Sequence, residues 1–342
     1  MYTVQSTERT RKSGADAETK ALLYLMNFQE DSNEIFYFII DFFNDLTGMD
    51  NSSSAMWDLQ SKADKNNTPG KIGRELVTLF KNYLSDLKFR RYILFIGGVN
   101  DNFRIDNSKN VFTIENIETK ILKKVQEGLK KEAIDKEYIN NIDITDENIV
   151  CFLANVVFVI DDKKSSEYVK AIIKNHPNII PEEKILDAIF NEIRDKQSSK
   201  KNVSKVEGII IQTMDEALNY YRHLTTNEIK LLTLQRIINR NPVSAGIPQS
   251  FIPIFSACPP EQQNTLLEDC KTSLCRALFN KNATDTFWKL FETIYKLIIT
   301  HPNDDITKIY NSIDPNLRKE SIDFDTFSMK YFIAVIKEGI QK

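Results

Sequence analysis

Nine residues, Ala55 to Ala63, constrain this chain more than any other stretch. In AMWDLQSKA, polar and apolar side chains alternate. Successive side chains of an extended strand point to opposite faces. Met56, Asp58, Gln60 and Lys62 therefore share one face, and Ala55, Trp57, Leu59, Ser61 and Ala63 the other. A loop follows at 64–70. The spacing of Leu76, Leu79, Phe80, Tyr83, Leu84 and Leu87 then predicts an amphipathic helix over 71–87. RYILFIG, at 91–97, reads as a strand buried on both faces. Strand, helix, strand in this order is a βαβ unit, with its strands parallel in one sheet.

Around this unit the pattern is mainly helical. Residues 16–30 read as a helix, with Asp16 as its cap. Residues 34–46, EIFYFIIDFFNDL, have a strand's composition. Their length and the spacing of Ile35, Phe38, Ile39, Phe42, Phe43 and Leu46 favour a buried helix ended by Gly48. A charged helix is expected within 113–136, a buried strand over 150–160 and a helix over 164–174. QSSKKNVSK, at 197–205, has the composition of a linker. Beyond it, helices are expected near 207–221, 226–239, 260–279, 284–299 and 325–340, with a loop at 240–259. This divides the chain into an α/β domain at 1–205 and a helical domain at 206–342. Apolar rows such as Phe287, Leu290, Phe291, Ile294 and Leu297 fit bundle packing, or an oligomer or partner interface.

Composition narrows the function classes. The chain has 342 residues, 42% hydrophobic and 27% charged, as a folded, water-soluble protein has. The first fifteen residues are polar and hold no apolar leader core. The longest apolar runs fall short of the ~20 residues of a spanning helix. No membrane segment is expected, and a cytoplasmic location is. Cys151, Cys258, Cys270 and Cys275 share no metal-ligand spacing and read as reduced thiols. His176, His223 and His301 lie far apart, which disfavours a histidine metal site. A net charge of −3 argues against nonspecific coating of nucleic acid. It leaves room for an enzyme that holds its substrate on a local basic patch.

Metal-dependent phosphodiester cleavage needs oxygen ligands for Mg²⁺ and a cation that positions water and steadies charge on phosphate. Asp50, then Gln60 and Lys62 ten and twelve residues on, have the layout of a D…(E/Q)xK motif. The neutral Gln weakens a metal site, so a further acid is expected to help. Asp58 shares the strand face, and Glu18 lies on the first helix. Asp45 competes with Asp50 as the primary acid, because the register of 34–46 is open. A DxQxK strand face is by itself more often a solvated surface than an active site. Lys71 could meet a phosphate at a helix start and Lys120, Lys123, Lys124, Lys130 and Lys131 could track a DNA backbone, but both read more readily as solvated charges, and Lys200, Lys201 and Lys205 as linker charges. Trp57 reads as core.

The segment FFNDLTGMDNSSSAMWDLQSKADKN, followed by GKIGRELVTLFKNYLSD and RRYILFIGG, resembles the Mrr-like branch of the PD-(D/E)xK superfamily. More particularly, it resembles the double-stranded DNA endonuclease domain of bacterial anti-phage effectors of CBASS and Lamassu type. The likeness covers about 10–220 and is concentrated in 42–98. It implies a restriction-endonuclease-like mixed sheet flanked by helices and a Mg²⁺- or Mn²⁺-dependent endonuclease for double-stranded DNA. Asp50, Gln60 and Lys62 would take the motif positions and Glu18 that of a helix acid, with Asp58 a further candidate ligand. The chain departs from the family before Asp50, where a clear strand is usual. The resemblance also implies restraint until infection, through a homo-oligomer or partner defence proteins such as an SMC-like or sensor subunit. The rivals are a non-catalytic helical adaptor on a degenerate nuclease fold and an RNase toxin on the same fold.

Overall fold

The computed structural model describes residues 1–5, 12–174, 176 and 182–340. Two compact units emerge, Met1–Tyr168 with Phe190–Thr226, and Val169–Ile189 with Asn227–Lys342. In chain order the elements are β1 (Tyr2–Thr3), α1 (Lys12–Asn27), β2 (Ile35–Ile40), β3 (Leu46–Asp50), β4 (Met56–Lys62), α2 (Pro69–Glu75), α3 (Val77–Tyr83) and β5 (Phe89–Ile96). They continue with β6 (Val111–Phe112), α4 (Thr119–Ile134), α5 (Asp146–Ala154), β7 (Val156–Ile160), α6 (Ser165–Ile172), α7 (Glu183–Lys200), β8 (Ile210–Ile211) and β9 (His223–Thr225). The rest is helical: α8 (Thr226–Ile237), α9 (Ile252–Ser256), α10 (Pro260–Phe279), α11 (Thr284–Thr300), α12 (Ile306–Ser312), α13 (Pro315–Glu320) and α14 (Thr326–Ile340).

The first unit is built on a seven-stranded mixed sheet of order β6-β7-β5-β4-β3-β2-β9. The expected βαβ unit is present: β4 and β5 run parallel, with Gln60 beside Leu94 and Lys62 beside Ile96. β7 extends the parallel part, and the remaining pairs are antiparallel. Alternation sorts the two faces. Tyr24 of α1 meets Phe95, whereas Tyr83 of α3 meets Tyr92. Helix α1 thus covers one face and α2 to α5 the other. The helix expected over 71–87 breaks at Leu76 into α2 and α3. Two glycines let α2 and α4 cross closely. A Cβ on Gly73 would stand 2.1 Å from the Val125 carbonyl oxygen, and one on Gly128 2.3 Å from that of Gly70.

Three sequence expectations are corrected here. Residues 35–40 form a strand, not a helix. Their β-branched and aromatic side chains favour a pleated surface, and a strand buried on both faces hides its period of two. Asp41 then takes a left-handed conformation (φ 56°) that turns the chain. Residues 150–160 are two elements. Thr145 caps α5 by accepting from the Asn148 N–H, α5 ends at Ala154, and β7 follows. Residues 197–205 are not a linker between domains. Gln197 is buried and accepts a hydrogen bond from Thr19 at 2.9 Å. Val206, Ile211, Ala217 and Leu224 are buried as well, and β9 completes the sheet beside β2. Residues 206–226 therefore belong to the α/β unit, and the boundary at 205/206 moves.

The helix expected near 207–221 is likewise replaced by β8 and a 3₁₀ turn at Asp215–Tyr220. Glu216 ties that turn by accepting from the Thr213 N–H and hydroxyl. The second unit is a helical bundle around Trp288, Phe291, Ile294, Phe332 and Ile336, with α8, α10, α11 and α14 close to their expected spans. Among the described residues no helix is long and apolar enough to cross a membrane.

Candidate functional site

A cleft of about 370 Å³ opens in the α/β unit where β4 ends and β3 begins, and Asp45, Gln60, Lys62, Glu75 and Thr78 line it. Its floor follows from topology. β3 starts at Leu46 opposite Leu59, so the Ser61 N–H lies past the last pair of that ladder. Asp45 takes its place as partner: one carboxylate oxygen accepts from the Ser61 N–H at 3.0 Å and from the Ser61 hydroxyl at 3.2 Å. Crevices at the carboxyl ends of parallel strands are the usual ligand sites of α/β sheets, and β4 and β5 are such a pair.

The wall comes from α2 and α3. The Thr78 hydroxyl donates to Gln60 Oε1 at 3.0 Å. Lys62 Nζ lies 3.1 Å from the Glu75 carboxylate. Arg74, one residue before Glu75, also lines the cleft, as do Lys81 and Tyr138. None of Arg74, Glu75, Thr78, Lys81 and Tyr138 was singled out in the sequence reading. The signal was there: Arg74, Glu75, Thr78, Lys81 and Asn82 recur at helical spacing beside an apolar face. A polar stripe on a core-facing helix takes its meaning, wet wall or solvated face, only once the cleft is in place.

Electrostatics distinguish the acids. Burial raises the Asp45 carboxyl, against the lowering pull of Lys62 and of the Ser61 N–H. Glu18, on α1, is raised to about 7 by burial; Lys201 opposes the rise and the charge on Asp45 adds to it. Its carboxylate pairs with Lys201 at 2.6 Å. Lys201, read as a solvated linker charge, is thus a nearly buried counter-ion of Glu18. Asp58 is fully buried beneath the floor, accepts from the Asn82 amide at 2.7 Å and is raised to about 7 by burial. Asn82 in turn accepts from the Tyr2 hydroxyl at 2.8 Å, and Lys81 donates to that hydroxyl at 2.9 Å.

Of the residues singled out in sequence, the structure brings Asp45, Gln60 and Lys62 together. Asp50 is not among them. It lies at the other end of β3, roughly 16 Å away along an extended strand, and organises the β3–β4 turn. One Asp50 oxygen accepts from the Ser54 and Ala55 N–H groups at 2.6 and 2.9 Å, and the other from the Ser52 and Ser54 hydroxyls. These bonds lower its carboxyl to about 2 although partial burial opposes them. Of the two candidate primary acids, Asp45 is therefore the one at the cleft. Asp58 and Glu18 stand just outside its lining, one under the floor and one engaged with Lys201.

The donor set bears on a metal. Among the described residues no group of three or more His, Cys, Asp or Glu side chains is placed to hold one. Asp45 offers a carboxylate oxygen and Gln60 an amide oxygen in the same cleft. Mg²⁺ commonly takes one or two carboxylates and keeps several waters, so this sparse, all-oxygen pair fits such an ion. It does not fit a site that needs three protein acids. No family model, no curated protein and no solved structure matches the chain.

Proposed function

We propose that the protein is a metal-dependent endonuclease acting on double-stranded DNA, with its active site in the Asp45–Gln60–Lys62 cleft. The observation that carries this reading is that an acid, a Gln and a Lys of the D…QxK layout line one cleft at the end of parallel strand β4. The resemblance of residues 42–98 to anti-phage nuclease domains supports it, with the refinement that Asp45 takes the place first considered for Asp50. A restriction-endonuclease-like reading of the mixed sheet belongs to the same proposal.

Asp45 and Gln60 would hold Mg²⁺ or Mn²⁺. Such an ion supplies charge neutralisation at phosphate and a more acidic bound water. Lys62 presents an ammonium to the cleft, where it orients the attacking water and stabilises charge developing on the phosphate. Glu75 holds that ammonium in place at 3.1 Å. Thr78 fixes the Gln60 amide so that its oxygen stays aimed at the same space. Arg74 provides a guanidinium suited to a neighbouring phosphate. A toxic nuclease must be restrained, so we assign control to a partner defence protein or to homo-oligomerisation, exerted through the helical unit.

The test is cleavage of plasmid and linear DNA with Mg²⁺ or Mn²⁺, comparing the unaltered protein with Lys62→Ala. Metal-dependent cutting that drops by roughly a hundredfold or more in the variant is expected, the usual scale for removal of a transition-state charge partner. The adaptor reading draws on the satisfied state of the cleft, in which Glu75 already engages Lys62 and Thr78 engages Gln60. It predicts no cutting by either protein and cellular toxicity indifferent to Lys62. Cleavage of RNA in place of DNA would move the proposal to the RNase toxin.

A further inference from the structure

A second cavity, of about 400 Å³, lies beside the cleft in the α/β unit, and the two share Gln5, Lys81 and Tyr138 in their walls. Tyr2, Ser85 and Asn140 also line the second cavity. Its only acid among the described residues is the exposed Asp143. Each cavity has the volume of a small-ligand site. The chemistry proposed at Asp45, Gln60 and Lys62 occupies the first and leaves the second without a role.

Lys81, on α3, stands where the two cavities meet. Its ammonium donates to the Tyr2 hydroxyl at 2.9 Å and to the Thr3 carbonyl at 3.1 Å, and lies 4.1 Å from the centre of the Tyr2 ring. The Tyr2 hydroxyl is fixed in turn by donating to Asn82 at 2.8 Å. Among the described residues the bonds of Lys81 are thus to neutral oxygens, and two of its three N–H donors are used. The other lysines of the cleft differ: Lys62 meets Glu75 at 3.1 Å and Lys136 meets Glu132 at 2.9 Å. Burial lowers Lys81 to about 8, against the pull of Asp58, so at neutral pH it is mostly a cation. Tyr138, in the turn after α4, is half-buried, and its ring centre lies 5.9 Å from the same ammonium.

We propose that Lys81 and Tyr138 form a second subsite, which holds the nucleotide next to the scissile phosphate, with Lys81 on its phosphate and Tyr138 stacked on its base. A cation beside an aromatic face is the combination that tracks a nucleic-acid strand without regard to sequence. A lone anion would answer the ammonium and leave the ring unused. Two cavities with a shared wall suit successive units of one strand, the first at Lys62 and the second across Lys81. The subsite rests on the nuclease reading for the identity of its ligand, and it adds to that reading two residues that touch substrate away from the reacting atoms.

The test is binding of a short fluorescent DNA oligonucleotide to the full chain, by anisotropy in the absence of metal over a series of salt concentrations. Lys81→Gln is expected to weaken binding about fivefold or more and to reduce the slope of log affinity against log salt by about one, the mark of one lost phosphate contact. Lys81→Arg keeps the charge and is expected to keep the slope. Tyr138→Leu leaves the Lys81–Tyr2 bond in place, so it serves if Lys81→Gln fails to fold. It is expected to weaken binding about fivefold or more with the slope unchanged, because stacking releases no counterions. In cleavage assays both losses should fall on KM rather than on kcat, whereas Lys62→Ala should act on kcat. Cutting that needs Lys62, with affinity and slope unmoved in Lys81→Gln and Tyr138→Leu, overturns the subsite and leaves the nuclease standing. Binding with the expected slope change but no cutting under any condition overturns the nuclease and leaves a strand-binding site. No binding by the unaltered protein overturns the subsite.

Discussion

Strand β3 has an aspartate just before its start and another at its end, and the two live in different chemical worlds. Asp50 caps its own turn, accepting from two N–H groups and two hydroxyls, and its carboxyl is held down near 2. Asp45 replaces a missing backbone partner for Ser61 in a buried corner, and its carboxyl is pushed up. In sequence the two are nearly interchangeable, because both precede Gln60 and Lys62 by a plausible interval. The difference is what surrounds them. One end of the hairpin is stapled by local bonds alone. The other is assembled from distant parts: Ser61, Lys62, Glu18 on α1, Lys201 after α7, and Arg222, which donates to the Asp41 carbonyl at 2.7 Å. A local turn can be specified by five residues, whereas a functional corner needs the whole unit.

The largest way to break the comparison is to remove the distant parts. A chain that ends at Lys205 lacks Arg222, strand β9 and the buried Val206, Ile211, Ala217 and Leu224. Each lost aliphatic side chain is worth roughly 1.5–3 kcal/mol of burial for the larger ones. Their sum, roughly 5–10 kcal/mol, is comparable to the ordinary margin of about 5–15 kcal/mol for a domain. We expect no cooperative thermal transition from such a chain by circular dichroism. A sharp transition would show that the Asp45 corner stands without its distant supports.

The second effect separates the two aspartates by chemistry. Under the proposed function, Asp45→Asn should lower metal-dependent DNA cleavage by about a hundredfold or more. Asp50→Asn should leave it within about threefold, since no part of Asp50 reaches the cleft. If Asp50→Asn proved the more damaging change, the cleft assignment would be wrong.

Much of this frame was legible. The alternation in 55–63 gave a strand with Asp58, Gln60 and Lys62 on one face, and all three meet α2 or α3. The helices at 260–279, 284–300 and 326–340 follow their apolar periods. What could not be read is tertiary in origin. β2 is buried on both faces, so its pattern imitates a helix. The choice between Asp45 and Asp50 depended on where β3 begins, and that was hidden by the misread of β2. Lys201 looked like a linker charge because nothing local betrays a partner 183 positions away at Glu18. The polar stripe on α2 and α3 was visible, and its meaning was not, because a wet wall and a solvated face look alike until the cleft is known.

A third prediction concerns the acid under the floor. Burial raises Asp58 to about 7, above an unfolded value of about 4. The folded state thus favours the protonated carboxyl. The stability this confers is present at low pH and is lost as pH climbs from about 4 through 7. Asp58→Asn keeps the shape and removes the titration. It should stabilise the protein by about 1–3 kcal/mol at pH 8 and by much less at pH 5, measured by urea unfolding at the two values. An equal change at both would mean that Asp58 stays ionised throughout, held so by Asn82 and the nearby Lys81.

The smallest effect sharpens the other end of β3. Asp50→Asn keeps one oxygen for the Ser54 and Ala55 N–H groups and loses the second acceptor used by the serine hydroxyls. Those hydroxyls can turn to water, because Ser52 is exposed and Ser54 is too. The loss is therefore that of a charged cap at a turn, about 1 kcal/mol. Its sign with pH is opposite to that of Asp58. A carboxyl lowered to about 2 in the folded state adds stability above its unfolded pKa of about 4, and that stability disappears as pH falls through the lower value. The difference between the unaltered protein and Asp50→Asn should thus be fully present at pH 7 and shrink toward pH 2–3, where the two Tm values converge. A gap that widens on acidification would mean that Asp50 is not the acceptor at the centre of this turn.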